Sequence, residues 1–281
     1  MKWLNESYTI TNEDVHFFGC LVLKFACESR KIEIVEYLLH QFKWNIFDEN
    51  VQQYVEISDN VLGISCTHGP IEIVDLICNH FHLPIQNLPL AFRYYAFKRA
   101  CIHGNLEIVQ YIVARFKISI NDVRGGYDMT FVSICKSGHL EILEYIMNEF
   151  NIIPNSMKSA SRQALRDSCK IGNLEIVKWL VAKFNLTIHD VRHQRNYAFR
   201  FACKNGHLNI AKWLENKFGL SNDDIRSLDN DALRVATKKN HLDVVKWLND
   251  ILLDEEIMIK PASKSVYVEL DIQQMNKKLK L

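Results

Sequence analysis

The sequence lacks three features that would place it in a special class of protein. It has no low-complexity tract, and 48% hydrophobic residues exclude an intrinsically disordered chain. Its charges nearly cancel, with 34 Lys+Arg against 33 Asp+Glu, which argues against a coat for nucleic acid or an anionic membrane. Its apolar runs fall short of the ~20 residues of a membrane span, and its start lacks a charged-then-apolar signal segment. We therefore expect a soluble, intracellular protein located in the cytoplasm.

The eight cysteines are the first positive feature. In a secreted chain they would suggest disulfides, but six of them recur at spacings of 39, 35, 34, 34 and 34 residues. These six are Cys27, Cys66, Cys101, Cys135, Cys169 and Cys203. Stacked helices lie ~8–10 Å apart, whereas a disulfide needs Cα atoms within about 7 Å. The sequence therefore predicts free, buried cysteines between helices in a reducing compartment.

A repeat of about 34 residues extends beyond the cysteines. We call the fifth residue after each in-phase cysteine the anchor, with Thr237 standing in the cysteine position of the last repeat. The seven anchors are Ile32, Ile71, Leu106, Leu140, Leu174, Leu208 and Leu242. Apolar residues recur two, six and ten positions after the anchor, which predicts an amphipathic helix. A shorter helix precedes it, as in residues 197–205, and is usually followed by a glycine, which permits the left-handed residue that closes the helix. These glycines are Gly69, Gly104, Gly138, Gly172 and Gly206.

Two segments show the pattern most clearly, GHLEILEYI at residues 138–146 and GNLEIVKWL at residues 172–180. They resemble the ankyrin repeat, a unit of ~33 residues with two helices and a turn that stacks into a curved solenoid. The resemblance covers most of residues 1–252, although the family's Thr-Pro-Leu-His opening is absent. It implies an all-α solenoid of stacked antiparallel helix pairs. The longer unit is similar to arrays of large DNA viruses of amoebae and of amoebae themselves, which would imply the host cytoplasm if the chain is viral.

The connectors between repeats carry the motifs Ser119–Asp122, Thr187–Asp190 and Ser221–Asp224, which are typical of capping boxes. We predict short helical turns there rather than long β-hairpins. Residues 1–20 are interpreted as a truncated N-terminal half repeat, 21–252 as seven ankyrin-like repeats, and 253–281 as a C-terminal cap or tail. The sequence leaves open whether residues 257–272 form a hairpin or a simple tail. Insertions in connectors 47–58 and 84–89 predict loops, either for binding or from drift.

The sequence contains no phosphate-binding glycine loop, His-Glu-x-x-His pair or Gly-x-Ser-x-Gly elbow, so we predict no enzymatic activity and no cofactor. Cys66 with His68, and Cys101 with His103, are two residues apart on a helix and point to different sides, which argues against a metal site. The out-of-phase Cys20 and Cys78 are interpreted as buried fillers, with a reactive thiol as the alternative. Histidines before three anchors are interpreted as turn residues: His139, His207 and His241.

Basic residues recur eight and four positions before the anchor, and this spacing places them on one face of the first helix. In the ankyrin family the first helices line the concave side, where partners usually bind. We therefore predict a protein partner with an acidic segment, bound by a monomer that contacts no membrane. We call these residues the basic ladder: Lys98, Lys136, Arg166, Lys170, Arg200, Lys204, Arg234 and Lys238.

The basic ladder could also serve the fold rather than a partner. Its arginines could pair with the connector residues Asp122, Asp190 and Asp224, and its lysines could favour a helix end. Two alternative functions are an adaptor that recruits a ubiquitin ligase, and nucleic-acid binding, which ranks last. An aromatic series five positions after the anchor is interpreted as packing between repeats: Tyr111, Tyr145, Trp179, Trp213 and Trp247. Acidic residues one position after the anchor oppose the basic ladder: Glu33, Glu72, Glu107, Glu141, Glu175 and Asp243.

Overall fold

The computed structural model describes residues 23–41, 62–63, 65–67, 69–80 and 90–259. The predicted half repeat at 1–20, the inserted connectors 47–58 and 84–89, and residues 260–281 lie outside the described residues, as do Cys20 and His68. The chain divides into two compact units, residues 1–193 and residues 194–281.

The first unit contains helix pairs and no strand among its described residues. Residues 23–28 are helical and precede α1, the second helix of the first repeat. The helices are α1 (Ile32–Gln41), α2 (Ile71–His80), α3 (Leu90–His103), α4 (Leu106–Phe116), α5 (Ile120–Ser137), α6 (Leu140–Glu149), a 3-10 turn (Pro154–Met157), α7 (Lys158–Ile171), α8 (Leu174–Lys183) and α9 (Ile188–Val191). First helices α3, α5 and α7 pack in chain order, and second helices α1, α2, α4 and α6 do the same. This stacking of like helix on like helix confirms the predicted solenoid fold class within the unit.

The second unit continues the same alternation of helices. Its helices are α10 (His193–Lys204), α11 (Leu208–Phe218), α12 (Asn222–Ile225), α13 (Ser227–Lys238) and α14 (Leu242–Ile259). The first residue of α10, His193, belongs to the first unit. Near the start of both α10 and α13, three consecutive residues have left-handed backbone angles, Gln194–Asn196 and Leu228–Asn230. In both repeats of this unit, the chain thus turns sharply between the short connector helix and the first helix.

The in-phase cysteines occupy the interior of the stack. All six have 0% exposed area and are free thiols, as is the equally buried Cys78. A cysteine behaves as a small hydrophobic residue when buried, so it fills the space between helices. The predicted role of the cysteine series is confirmed for every described member.

The turn glycines follow the prediction with one exception. Gly104, Gly138, Gly172 and Gly206 have positive φ values of 81°, 88°, 102° and 78°. Gly69 does not adopt this conformation, so the prediction is wrong there. Pro70 follows it, and a proline restricts the backbone of the residue before it. At Gly206, a Cβ atom would also lie 2.7 Å from the His241 ring, so the turn needs glycine for space as well as for φ.

All three predicted capping boxes are present. The hydroxyls of Ser119, Thr187 and Ser221 pair with the aspartate three residues later, and that carboxylate accepts from the backbone of the capping residue. The two short helices α9 and α12 confirm helical connectors in place of β-hairpins. In the fourth repeat α5 includes the connector, and Asp128 within it has a left-handed φ of 63°, as Asn196 and Asn230 do at the equivalent positions of the later repeats.

Of the two alternatives left open for residues 257–272, a hairpin strand that begins at Ile257 is contradicted, because α14 runs to Ile259. The helix thus continues beyond residue 252, where the repeat pattern ends. Residues 253–256 are Leu-Asp-Glu-Glu, and no glycine or proline occurs before Pro261. Leucine and glutamate are good helix formers, so local propensity extends the helix although the apolar alternation suggested a strand.

Candidate protein-binding surface

Three residues of the basic ladder converge on one carboxylate in the second unit. Arg200 and Lys204 lie one turn apart on α10, and both contact Oδ2 of Asp231 on the next first helix, α13. The Lys204 Nζ to Asp231 Oδ2 distance is 2.6 Å. Arg234 Nη2 lies 2.9 Å from Asp231 Oδ1. Three cations facing one carboxylate leave this part of the surface positively charged.

The three cations differ in how far they reach solvent. The side chain of Arg200 is 7% exposed, that of Lys204 is 17% exposed, and that of Arg234 is 67% exposed. Arg200 Nε also donates to the carbonyl of Arg195 at 2.8 Å, inside the left-handed turn that precedes the helix. Arg200 therefore supports the turn and the junction between repeats, whereas Arg234 and the exposed Lys238 face solvent.

Asp231 is held in its ionised form. Burial alone would raise its pKa, but hydrogen bonds from Lys204 and Arg200 outweigh burial and lower the pKa below its ordinary value. Sequence reasoning missed this residue. A signal was present, because Asp231 is the sole acidic residue found eleven positions before an anchor. Stacking places that position beside the basic residues of the preceding repeat.

An aromatic pair lies on the same helix as Arg200 and Lys204. The rings of Tyr197 and Phe201 are stacked, with centroids 3.8 Å apart and planes inclined by 9°. Lys204 Nζ lies 4.7 Å from the centroid of the Phe201 ring. Both aromatic residues are half-buried, so they present apolar surface next to the cations. Sequence reasoning did not single out this pair, although its spacing of four residues on a helix was a usable signal.

The ladder residues of the first unit lie on α3, α5 and α7. Lys98 Nζ is 5.8 Å from the ring centroid of Tyr94, and Lys136 and Lys170 are exposed. Arg166 Nη1 lies 3.2 Å from Nδ1 of His193. These side chains follow the first helices of successive repeats, as the sequence predicted.

Two of the connector aspartates contact residues outside the basic ladder. Asp190 accepts from Arg162 at 2.8 Å and lies 3.9 Å from Lys158, and neither residue belongs to the basic ladder. Burial alone would raise the pKa of Asp190, but hydrogen bonds from Thr187 and Arg162 and the charge of Lys158 together outweigh burial and lower the pKa. Asp224 accepts from Asn196 at 3.2 Å. Each contact joins a connector to the first helix of the repeat before it.

The second helices carry the opposite charge and the aromatic series. Glu107, Glu141 and Glu175 are exposed in the first turn of their helices, where the helix dipole favours an acid. Trp179 lies 6.5 Å from Phe131 of the preceding repeat, centroid to centroid. The centroid of the Trp247 ring likewise lies 6.2 Å from that of Phe199, which also belongs to the preceding repeat. These contacts support the interpretation of the aromatic series as packing between repeats.

The described residues contain no group of three or more His, Cys, Asp or Glu side chains suited to a metal ion. Burial is the main reason that the pKa of the Cys78 thiol rises to about 12, which disfavours the reactive thiolate. Within the described part of the chain, no helix is long and apolar enough to cross a membrane.

Stacked helix pairs define a class of protein, the helical-repeat scaffolds. A family model described as "Ankyrin repeats (3 copies)" matches residues 97–190 and again residues 165–258, more than half of the chain. The chain belongs to the ankyrin-repeat family. Repeats of this family generally mediate protein–protein interactions, and its members are typically not enzymes. Among curated proteins, none matches the chain.

Proposed function

We propose that this chain binds a partner protein along the concave, first-helix face of its repeats, and that the basic ladder engages an acidic segment of the partner. The cluster around Asp231 is the observation that supports this most directly. There, three ladder cations meet one carboxylate, and Arg234 and Lys238 extend the positive charge into solvent. Complementary charge steers association and selects partners.

The members of the ladder have different roles in this proposal. Lys136, Lys170, Arg234 and Lys238 are exposed and are the proposed contacts of the partner, joined by the half-buried Lys98, Arg166 and Lys204. Arg200 is nearly buried, so its proposed role is to hold Asp231 and the turn in place. Side chains that recur on successive first helices suit an extended segment better than a small substrate, which needs a concave pocket.

The test begins with a display library of random 12-residue peptides, selected on the full chain. We expect the selected peptides to be enriched in Asp and Glu. Their affinity is then measured by fluorescence anisotropy for the triple variant Lys136→Glu, Lys170→Glu and Lys238→Glu. Because these three lysines are exposed, the fold should survive, and we expect binding to weaken by roughly tenfold or more.

The chain offers a matched control. Lys178, Lys212 and Lys246 are exposed lysines on three second helices, so their reversal changes the net charge equally on the other face. We expect this control to change affinity by less than about threefold, which is under 1 kcal/mol. Equal losses in the two triple variants would contradict the placement of the site. Selection of peptides without acidic enrichment would contradict the proposed partner.

Nucleic-acid binding is tested in the same assay. A single-stranded oligonucleotide should show no retention at ~150 mM salt, because phosphate binding through a few lysines is strongly weakened by salt. Tight binding under these conditions, lost in the ladder variant, would replace the protein partner by a nucleic acid.

A further inference from the structure

The second unit combines an apolar surface and a fixed positive charge at one place. We infer that this place, made of Tyr197, Phe201, Lys204, Arg234 and Lys238, binds a segment in which an aromatic or large aliphatic side chain neighbours acidic residues, and that Asp231 is its positioning residue. We call it the aromatic–cation patch. The inference rests on the proposed function and adds the chemical class of the partner segment.

The apolar half of the patch is the stacked pair on α10. Tyr197 and Phe201 lie 3.8 Å apart in parallel planes and remain only half-buried. Each ring supports the other, so little conformational entropy is lost when a partner side chain covers them. Aromatic residues of this kind are enriched at protein interfaces and commonly supply the anchor of an interface.

The charged half of the patch is held in place before any partner arrives. Lys204 Nζ contacts both the Phe201 ring, at 4.7 Å, and Asp231 Oδ2, at 2.6 Å. Arg234 Nη2 is bound to the other oxygen of the same carboxylate. A buried, ionised Asp231 thus fixes two long side chains that would otherwise sample many rotamers. An acidic partner residue therefore meets cations that need little further ordering.

The geometry also indicates a spacing in the partner. The aromatic pair and Lys204 lie on α10, whereas Arg234 and Lys238 lie on α13 in the next repeat. Neighbouring packed helices are ~8–10 Å apart, and an extended chain rises ~3.3 Å per residue. We therefore expect an acidic residue about two to four positions from the apolar one.

A peptide suits this patch better than a nucleic acid. Aromatic rings and cations would also suit stacked bases. However, phosphates are spaced regularly and need a cation for each contact, whereas here the central group is a carboxylate that neutralises part of the positive charge. An acidic segment with an apolar anchor needs only the few exposed cations that remain.

The first experiment uses the peptides selected on the full chain and measures their affinity by fluorescence anisotropy. We expect an aromatic or large aliphatic residue two to four positions from Asp or Glu. Replacing that residue by Ser should weaken binding to the wild-type chain about tenfold, yet have little further effect on the Tyr197→Ser variant. Tyr145→Ser is the matched control, since Tyr145 is half-buried on a second helix. It should leave affinity unchanged.

The second experiment separates positioning from simple charge. Asp231→Asn raises the net charge by one, so a purely electrostatic surface would bind acidic peptides more tightly. If Asp231 positions the cations, the variant should instead bind at least about fivefold more weakly, and Asp231→Glu should recover part of the loss. Circular dichroism checks that each variant remains helical. Tighter binding by Asp231→Asn would overturn the positioning role.

The outcomes distinguish this inference from the proposed function. Acidic peptides without an apolar anchor, weakened by the triple ladder variant but unaffected by Tyr197→Ser, would overturn the patch and leave the proposed function in place. Peptides whose affinity is changed neither by the triple ladder variant nor by Tyr197→Ser would overturn both the patch and the proposed function. A single-stranded oligonucleotide that binds at ~150 mM salt and is released by Tyr197→Ser would assign the patch to nucleic acid and overturn the inference.

Discussion

Asp231 links consecutive repeats of the second unit through its two carboxylate oxygens. One oxygen binds Arg200 and Lys204 of the sixth repeat, and the other binds Arg234 of the seventh. An ion pair of this kind is not strong evidence for net stability, because desolvation opposes the attraction. Removing one partner is a different matter, because the buried charge that remains has no compensation.

Replacing Asp231 by Asn should therefore destabilise the second unit. The variant leaves Arg200 buried without its charge partner, and such losses amount to roughly 3 kcal/mol. Urea unfolding at pH 7, followed by circular dichroism, measures the change. Asp250→Asn is the control, because Asp250 is exposed on α14, and it should change stability by less than about 0.5 kcal/mol. Equal losses in the two variants would contradict the assigned role of Asp231.

The stability of the wild-type chain and that of the Asp231→Asn variant should depend differently on pH. The pKa of Asp231 is lowered in the folded chain, so its stabilising effect is complete above the unfolded value and disappears as pH falls through the folded pKa. The stability difference between the wild type and Asp231→Asn should hold at pH 6 and shrink below about pH 4. A difference that grows on acidification would contradict the lowered pKa.

At the scale of elements, the connector helices depend on their caps. Helices α9 and α12 have four residues each, which is too short for stability in isolation. Their capping boxes satisfy the first backbone amides, and Asp190 and Asp224 also accept from the preceding repeat. Each aspartate therefore joins local structure to the stacking of repeats.

Ser221→Ala should remove the cap of α12 and lower the free energy of unfolding by about 1 kcal/mol. Ser221→Thr should lose much less, because Thr187 forms the same capping box in the preceding repeat. Thermal and urea unfolding of the two variants measure the difference. A threonine variant as unstable as the alanine variant would show that the hydroxyl does not support the helix.

At the scale of the whole molecule, the cysteines report on packing in both units. The seven described thiols are buried, and desolvation raises the pKa of Cys27 and of Cys78 to about 12. Burial blocks the reagent, and the raised pKa keeps the thiol protonated near neutral pH.

We expect these seven thiols to resist iodoacetamide at pH 8 until the chain unfolds in urea. Mass spectrometry of peptides assigns the modified sites, and labelling should follow the unfolding transition. Lys178→Cys places a thiol at an exposed position and should react at once, which controls for reagent activity. Rapid labelling of Cys101 or Cys169 in the native chain would contradict their buried placement.

Much of the fold was predictable because the information is local. The amphipathic period, the capping boxes and four of the five turn glycines follow from short stretches of sequence. The exceptions have local causes that outweighed the pattern, namely Pro70 after Gly69 and the strong helix formers before Ile259. The surface was less predictable. Its basic residues were visible in the repeat, but Asp231 and the aromatic pair gain their meaning only from contacts.

The amino-acid sequence by itself determined the repeat, the helix pairs and the buried free cysteines, because each depends on periodicity or on spacing along the chain. Only the tertiary structure decided which charges of the basic ladder pair within the protein and which face solvent. Stacking brings Asp231 onto Arg200 and Lys204 but leaves Lys238 exposed. That outcome depends on side chains about thirty residues apart meeting across two helices, and periodicity along the chain does not specify such a contact.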